Sequence, residues 1–233
     1  MKASLGLGAI GALVVIGAAL AMKESAHLAL LPVIASQAFA WGVGTTLAVA
    51  AAMRVFPLDV EQGVVALVRA RGVGASAYAA ARVAGLVGVL AAVVAGGALV
   101  AGLAATAVAT SGAGDVARAG GAAIVFGLAF AVTLGPLSMA TLGAGTRGGG
   151  YAWLLLVLVV PELLAPWTQG LLPAGWKELT SIPAALEAVR SSVQNAGAAL
   201  AHGLRAAIGL AGVAAASLLV IRARVPGDAP GQA

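Results

Sequence analysis

Long stretches without a charged residue constrain this chain more than any other feature. Residues 28–53, 83–108 and 121–146 contain no Asp, Glu, Lys or Arg. A helix rises about 1.5 Å per residue, so each stretch can cross a hydrocarbon core of about 30 Å. Backbone groups in that core must be hydrogen-bonded within the protein, which a helix achieves by itself. The pattern therefore predicts an all-α integral membrane fold.

The same criterion predicts about six transmembrane helices within a single transmembrane domain that covers residues 1–233. Charged residues make up 9% of the chain, against about 25% in soluble domains, which supports a bilayer environment. The 33 glycines suit helices that approach each other closely in one bundle. The predicted spans are residues 3–22, 28–53, 83–108, 121–146, 151–172 and 206–221.

The first predicted span has an alternative interpretation as a cleaved signal peptide. Ala19-Leu20-Ala21 has the small-x-small form of a cleavage site. The uncharged stretch between Lys2 and Lys23 has 20 residues, however, and is longer than the apolar region of most signal peptides, which is about 7–15 residues. In either case, the next span starts outside.

Basic residues predict the orientation of the spans. When the loops are assigned to alternate sides, eight Lys and Arg fall on the side of residues 54–82 and five on the other. Cytoplasmic loops are richer in Lys and Arg, so we expect both termini and residues 54–82 in the cytoplasm and the protein in the cytoplasmic (inner) membrane. The net charge of +5 comes from single basic residues between apolar runs, which argues against a nucleic-acid partner.

The long outer segment, residues 173–205, has helical periodicity of its own. Ser181 followed by Pro183 is a typical helix start. We predict an amphipathic helix that lies on the outer surface or caps the bundle, either as a connector or as a lid. Its apolar residues at helical spacing are Leu186, Val189, Val193, Leu200 and Leu204.

The inner segment between the second and third predicted spans, residues 54–69, also has the pattern of a short amphipathic helix at the membrane surface. Glu61, Gln62 and Arg69 lie on the face opposite its apolar residues. An interfacial anchor is one interpretation of this pattern. The apolar face, which we expect to pack against the ends of the spans, contains Val60, Val64, Leu67 and Val68.

This inner segment resembles the coupling helix of permease subunits in the type-2 ABC exporter superfamily. The superfamily pattern is an acidic residue, a glycine, aliphatic residues, a break, and a basic residue that enters the next span. The resemblance implies a surface that docks on an ATPase and transmits its movement to the third span. The implied coupling residues are Asp59, Glu61, Gly63, Leu67 and Arg69, with Arg82 as the basic residue at the start of the span.

Two further motifs are similar to the haem exporter B family of cytochrome c maturation. One runs from Ala40-Trp41-Gly42 to Phe56. The other runs from Leu142 to Gly150 and is followed by an aliphatic run from Leu154 to Val160 and by Pro161 and Pro166. The resemblance implies a permease for a hydrophobic or amphipathic substrate, with haem as one candidate cargo. It implies a transport subunit that is not an enzyme and has no catalytic residue, cofactor or metal site of its own.

ATP hydrolysis is expected in another polypeptide. The chain has no Gly-x-x-x-x-Gly-Lys-[Ser/Thr] motif, so it lacks the loop that would cradle ATP phosphates. The expected partners are a cytoplasmic P-loop ATPase that binds ATP and Mg²⁺, a second permease copy or paralogue, and the lipid bilayer. The alternatives are a non-transporting scaffold subunit, or an intramembrane hydrolase with Ser138 as nucleophile and His202 as base.

Glu162 is the one carboxylate inside a predicted span. An ionisable group at that depth is a candidate for function, so Glu162 is expected to line the transport path or pair with Arg205. Beside Pro161 it is alternatively a polar group that stabilises a broken helix. With Arg82, the candidate path or hinge residues are Pro161, Glu162 and Pro166. His27 and His202 lie near the outer surface and are better interpreted as polar anchors than as haem ligands.

Overall fold

The computed structural model of the chain describes residues 25–109, 112–143, 147–168, 170–171, 176–195 and 199–224. Every regular element in these ranges is a helix, and none of them contains a strand. The all-α prediction is confirmed for this part of the chain. The predicted first span, residues 3–22, lies outside the described residues.

The described helices follow the predicted order of apolar segments. Two short π-helical segments, Phe39–Gly44 and Met139–Gly143, and a 3₁₀ turn at Lys177–Leu179 join some of them. The α-helices are α1 (Ser25–Ala38), α2 (Thr45–Glu61), α3 (Val64–Ala70), α4 (Ala75–Val108), α5 (Ala113–Ser138), α6 (Arg147–Leu158), α7 (Val160–Thr168), α8 (Ile182–Gln194) and α9 (Leu200–Arg224).

Four stretches of described helix are long and apolar enough to cross a membrane. They are Leu28–Met53, Ser76–Val108, Ala113–Leu142 and Leu200–Ala223. The first has the predicted bounds, whereas the other three begin six to eight residues earlier than the predicted 83, 121 and 206. A helix continues past the end of its apolar stretch as long as its backbone hydrogen bonds are made, so charge-free runs underestimate its length.

The predicted fifth span, residues 151–172, differs from the other four. It corresponds to the short helices α6 and α7, which are separated at Val159 and share a shorter apolar stretch, Ala152–Trp167. Pro161 accounts for the break, because proline has no N–H to donate and its ring crowds the carbonyl of residue 157. A total of six spans therefore remains a prediction.

Helix α5 lies at the centre of the bundle. Within its most apolar window 72% of the residues are buried, against 28% in α9. Leu103, Ile208 and Leu219, on α4 and α9, stay more than 60% exposed. Large apolar side chains on an outer helical face are expected where the surrounding solvent is lipid.

The antiparallel pair α4 and α5 is packed through glycines. Gly120 of α5 faces Gly102 of α4, and a Cβ on either would lie 3.3 Å from the other's Cα. Two turns further along α5, a Cβ on Gly127 would lie 2.7 Å from the Ala95 nitrogen. Such contacts require the backbones of the two helices to lie closer than any larger residue allows.

The outer helix α8 packs along α5 and α9 instead of standing apart from them. Its residues Ile182, Ala185, Leu186 and Val189 join the same apolar core as Phe126 and Phe130. The prediction that one helical face continues through Leu200 and Leu204 is wrong. Helix α8 ends at Gln194, and both leucines belong to α9, where they are more than 60% exposed.

Candidate functional site

The inner segment consists of two helices joined by a glycine turn, and not of one helix. Helix α2 continues past the apolar stretch to Glu61, and α3 begins at Val64. Between them Gly63 has a φ of +68°, and Gly72 beyond α3 has a φ of +76°. This left-handed conformation strains residues that have a Cβ. The predicted single helix in residues 54–69 is wrong because Gly63 turns the chain within it.

Asp59 is the centre of a polar cluster that connects α2 to α4. Its carboxylate accepts a hydrogen bond from the Tyr78 hydroxyl and lies 2.8 Å from the Arg82 guanidinium. The Nε of Arg82 also donates to the Tyr78 oxygen over 3.1 Å, and the guanidinium lies 5.3 Å from the centre of the Tyr78 ring. Each member of this cluster therefore contacts the other two.

The burial of this cluster changes the roles predicted for Asp59 and Arg82. The Asp59 side chain is 12% exposed and that of Arg82 is 42% exposed. The resemblance implies that Asp59 is a coupling residue; its carboxylate is bonded to Tyr78 and Arg82 within the chain, and coupling to an ATPase remains a prediction. Arg82 pairs with Asp59 at the start of α4. A carboxylate at this depth is tolerated because it has a cationic partner and a hydroxyl donor.

Tyr78 is absent from the residues that the sequence predicts to act at this site. It precedes Arg82 by four positions on one helix, a spacing that places both side chains on the same helical face. This spacing is visible in the sequence. The pairing with Asp59 is not, because it joins residues on either side of α3 and depends on the turns at Gly63 and Gly72.

Helix α3 is presented outside the bundle. None of its residues is buried, and it contacts α2 and α4. Leu67 is 58% exposed, so the prediction that it packs against the ends of the spans is wrong. Arg69 and Arg71 follow on the same exposed segment. For Glu61 the backbone belongs to α2, and its side chain lies outside the described part of the structure.

Glu162 lies toward the other end of the bundle, near the start of α8. Its carboxylate accepts a hydrogen bond from the Ser181 hydroxyl. Ser181 is the N-cap of α8 and its oxygen also accepts from the Ala184 N–H over 3.1 Å. The positive end of the α8 dipole therefore faces this carboxylate. Within α7, Pro166 leaves the Glu162 carbonyl without its usual helical donor.

These contacts show Glu162 joining α7 to α8. Of the predicted path or hinge residues, Pro161 stands at the break before α7 and Pro166 stands inside it. Glu162 itself is exposed at the surface of the described chain. The pairing of Glu162 with Arg205 remains a prediction.

Of the two histidines considered as haem ligands, the structure describes the side chain of His202. His202 on α9 contacts Glu178, with 2.7 Å between Nδ1 and Oε1. These two residues line an open groove of about 470 Å³ together with Glu187 and Ser191 of α8. The side chain of His27 lies outside the described part of the structure. Within that part, no group of three or more His, Asp or Glu side chains is placed to hold a metal ion.

Ser138 and His202, the residues of the hydrolase alternative, have separate partners. Ser138 is fully buried in the bundle and donates to the Gly135 carbonyl over 3.0 Å. His202 faces Glu178 in the outer groove. A nucleophile must reach both its base and its substrate, and a buried hydroxyl that is bonded to its own helix does neither.

No family model, no curated protein and no solved structure matches this chain. Asp59, Tyr78 and Arg82 form one ionic cluster at the base of an exposed helix, and Glu162 with Ser181 forms a second polar contact further along the bundle.

Proposed function

We propose that this chain is the membrane-spanning permease subunit of an ATP-binding cassette exporter. It would move a hydrophobic or amphipathic substrate, with haem as one candidate, across the cytoplasmic membrane. The ion pair between Asp59 and Arg82 is the observation that supports this function most directly. It joins the end of α2, from which the chain continues into the exposed helix α3, to the start of α4, which is long enough to cross the membrane.

The geometry suggests how movement at α3 would reach the bilayer. Helix α3 is bounded by two left-handed glycines, and its exposed side chains are available for contact with a second protein. A displacement of α3 would pull on the end of α2 through the Gly63 turn, and α2 would in turn pull on α4 through the Asp59 cluster. The chain supplies this linkage, and ATP and Mg²⁺ would be bound by the separate P-loop ATPase.

A scaffold subunit without transport is the alternative that shares this geometry. A scaffold would bind the ATPase through α3 but would not change the rate of ATP hydrolysis. A permease would raise hydrolysis when both proteins are reconstituted in vesicles with cargo. This difference in the hydrolysis rate separates the two functions.

We predict that Leu67→Asp removes ATPase binding and leaves the fold intact. Leu67 is 58% exposed, so a charge there costs the bundle little, whereas it would disrupt an apolar contact with a docked partner. The measurement is co-purification of a P-loop ATPase from native membranes with the tagged chain. Leu171→Asp is the matched control, since Leu171 is 86% exposed on the predicted outer side. Binding that survives Leu67→Asp would show that α3 is only an interfacial anchor.

Membrane orientation is a separate prediction, which the absence of cysteine makes straightforward to test. Cysteines introduced one at a time at Ala66 and Arg147 should react with an impermeant maleimide only from the cytoplasmic side. One at Glu187, which is part of the groove on α8, should react from outside. Labelling of position 66 from outside would contradict both the orientation and the docking of an ATPase on α3.

A further inference from the structure

One face of the helix formed by α1, the π segment and α2 has a polar side chain where lipid is expected. Gln37 is exposed, and its side-chain amide makes no hydrogen bond within the described part of the chain. It lies about 14 Å from Leu28 and about 24 Å from Met53, at a rise of about 1.5 Å per residue. Both ends of this stretch therefore lie well away from Gln37, and when the stretch crosses a membrane its amide would lie inside the hydrocarbon core.

An amide that faces lipid there would lose its hydrogen bonds to water and gain none. The neighbouring turn adds a second donor, because Trp41 is 37% exposed and its ring makes an edge contact with Phe130 at 5.4 Å. Its indole N–H has no hydrogen-bond acceptor among the described residues. This face therefore needs a partner that supplies polar groups at this depth.

The backbone on the same face is open to close approach. Gly42 is exposed, and a Cβ built on it would meet no atom within 4 Å. Ala38 and Thr46, one turn to either side, are also exposed and small. A second helix can therefore come close enough for a short side chain such as glutamine to reach its partner.

We infer that this face, defined by Gln37, Trp41 and Gly42, is where two copies of the chain meet within the bilayer. A glutamine amide is both a donor and an acceptor. A two-fold axis places the same face on both partners, so the Gln37 amide of each copy can pair with that of the other. The inference rests on the proposed function in choosing a second permease copy as the occupant of the face.

The chain's own N-terminal stretch is a less suitable occupant. Residues 3–22 contain a single polar side chain, Ser4, at the beginning of the stretch. If this stretch ran antiparallel to α1, the short connection through Lys23 would place the apolar region around Ile10 opposite Gln37. That region offers no side-chain partner for an amide, whereas a second copy offers one with the required donors and acceptors.

Cross-linking in membranes tests this inference, and the chain contains no cysteine that would interfere. Trp41→Cys in the full chain, which keeps the Gln37 amide, should form a disulfide-linked dimer on oxidation with copper phenanthroline. Leu99→Cys is the control, because Leu99 is 47% exposed and as far from Val108 as Gln37 is from Leu28. It should form no dimer. With Trp41→Cys as the reporter, Gln37→Leu should cause loss of the dimer and Gln37→Asn should retain it.

Three results would overturn the inference. The first is the absence of a disulfide-linked dimer with Trp41→Cys when Gln37 is intact. The second is a disulfide within one chain between Ile10→Cys and Gln37→Cys, which would show that residues 3–22 cover the face. The third is rapid reaction of Gln37→Cys with a water-soluble maleimide, which would indicate a water-filled path. None of these assays needs ATP or the ATPase, so failure here is distinguishable from failure of ATPase docking at α3.

Discussion

Gly127→Ala should destabilise the bundle by about 2 kcal/mol. The added Cβ would lie 2.7 Å from the nitrogen and 2.9 Å from the Cα of Ala95. These are backbone atoms, so relief requires α4 and α5 to separate, at a cost near the upper end of the about 1–3 kcal/mol typical of overpacking. The higher helix propensity of alanine offsets only about 1 kcal/mol of this.

The unfolding midpoint in detergent measures this effect, and α5 contains its own control. A Cβ on Gly121 would meet no atom within 4 Å. Gly121→Ala should therefore be neutral or stabilise the fold by up to about 1 kcal/mol through helix propensity. Equal midpoints for the two variants would contradict the close approach of α4 and α5.

Asp59→Arg should destabilise the chain by about 2–3 kcal/mol and abolish stimulation of the partner ATPase. The substitution places two guanidinium groups where one carboxylate now pairs with Arg82 at 2.8 Å. Breaking a fully buried pair costs about 3–5 kcal/mol, and the value here is lower because Arg82 is 42% exposed. Unfolding midpoints and ATPase rates in proteoliposomes measure the two effects separately.

The reversed pair, Asp59→Arg with Arg82→Asp, should recover part of both losses because it restores opposite charges at this position. Asp115→Arg is the control, since the pair of Asp115 and Arg118 is solvent-exposed and 3.6 Å apart. It should cost no more than about 1 kcal/mol. If the reversed pair is no better than Asp59→Arg alone, the carboxylate has a role beyond its charge, and the proposed linkage through Arg82 is wrong.

The elements that could be predicted from sequence are those whose stability depends on residues close together along the chain. The charge-free stretch at residues 28–53 has the bounds of one membrane-length helix, and three other stretches predict such helices with late starts. Such a helix is surrounded on all sides by lipid or protein, so the hydropathy of its residues is sufficient to predict it. The helix N-cap at Ser181 is also predictable, because a Ser followed by Pro at the start of a helix acts through its own backbone.

The predictions that failed concern which part of the protein packs against a given face of a helix. Leu67 has the spacing of a buried residue, yet α3 contacts its neighbours α2 and α4, and the residue is exposed. Helical periodicity shows that a face exists but does not identify what covers it. The left-handed Gly63 also divides a pattern whose periodicity alone predicts one continuous helix.

The sequence by itself determined that this is a helical, bilayer-compatible chain. The free energy of transferring an uncharged stretch into lipid is a sum over the residues of that stretch, so it can be read without the tertiary structure. Only the tertiary structure decided how Asp59 is used. Tyr78 and Arg82 lie on the next long helix, and the turns at Gly63 and Gly72 bring them to the Asp59 carboxylate. An ion pair is stable at this depth only when the distance and the donors are correct, and these depend on how the helices pack.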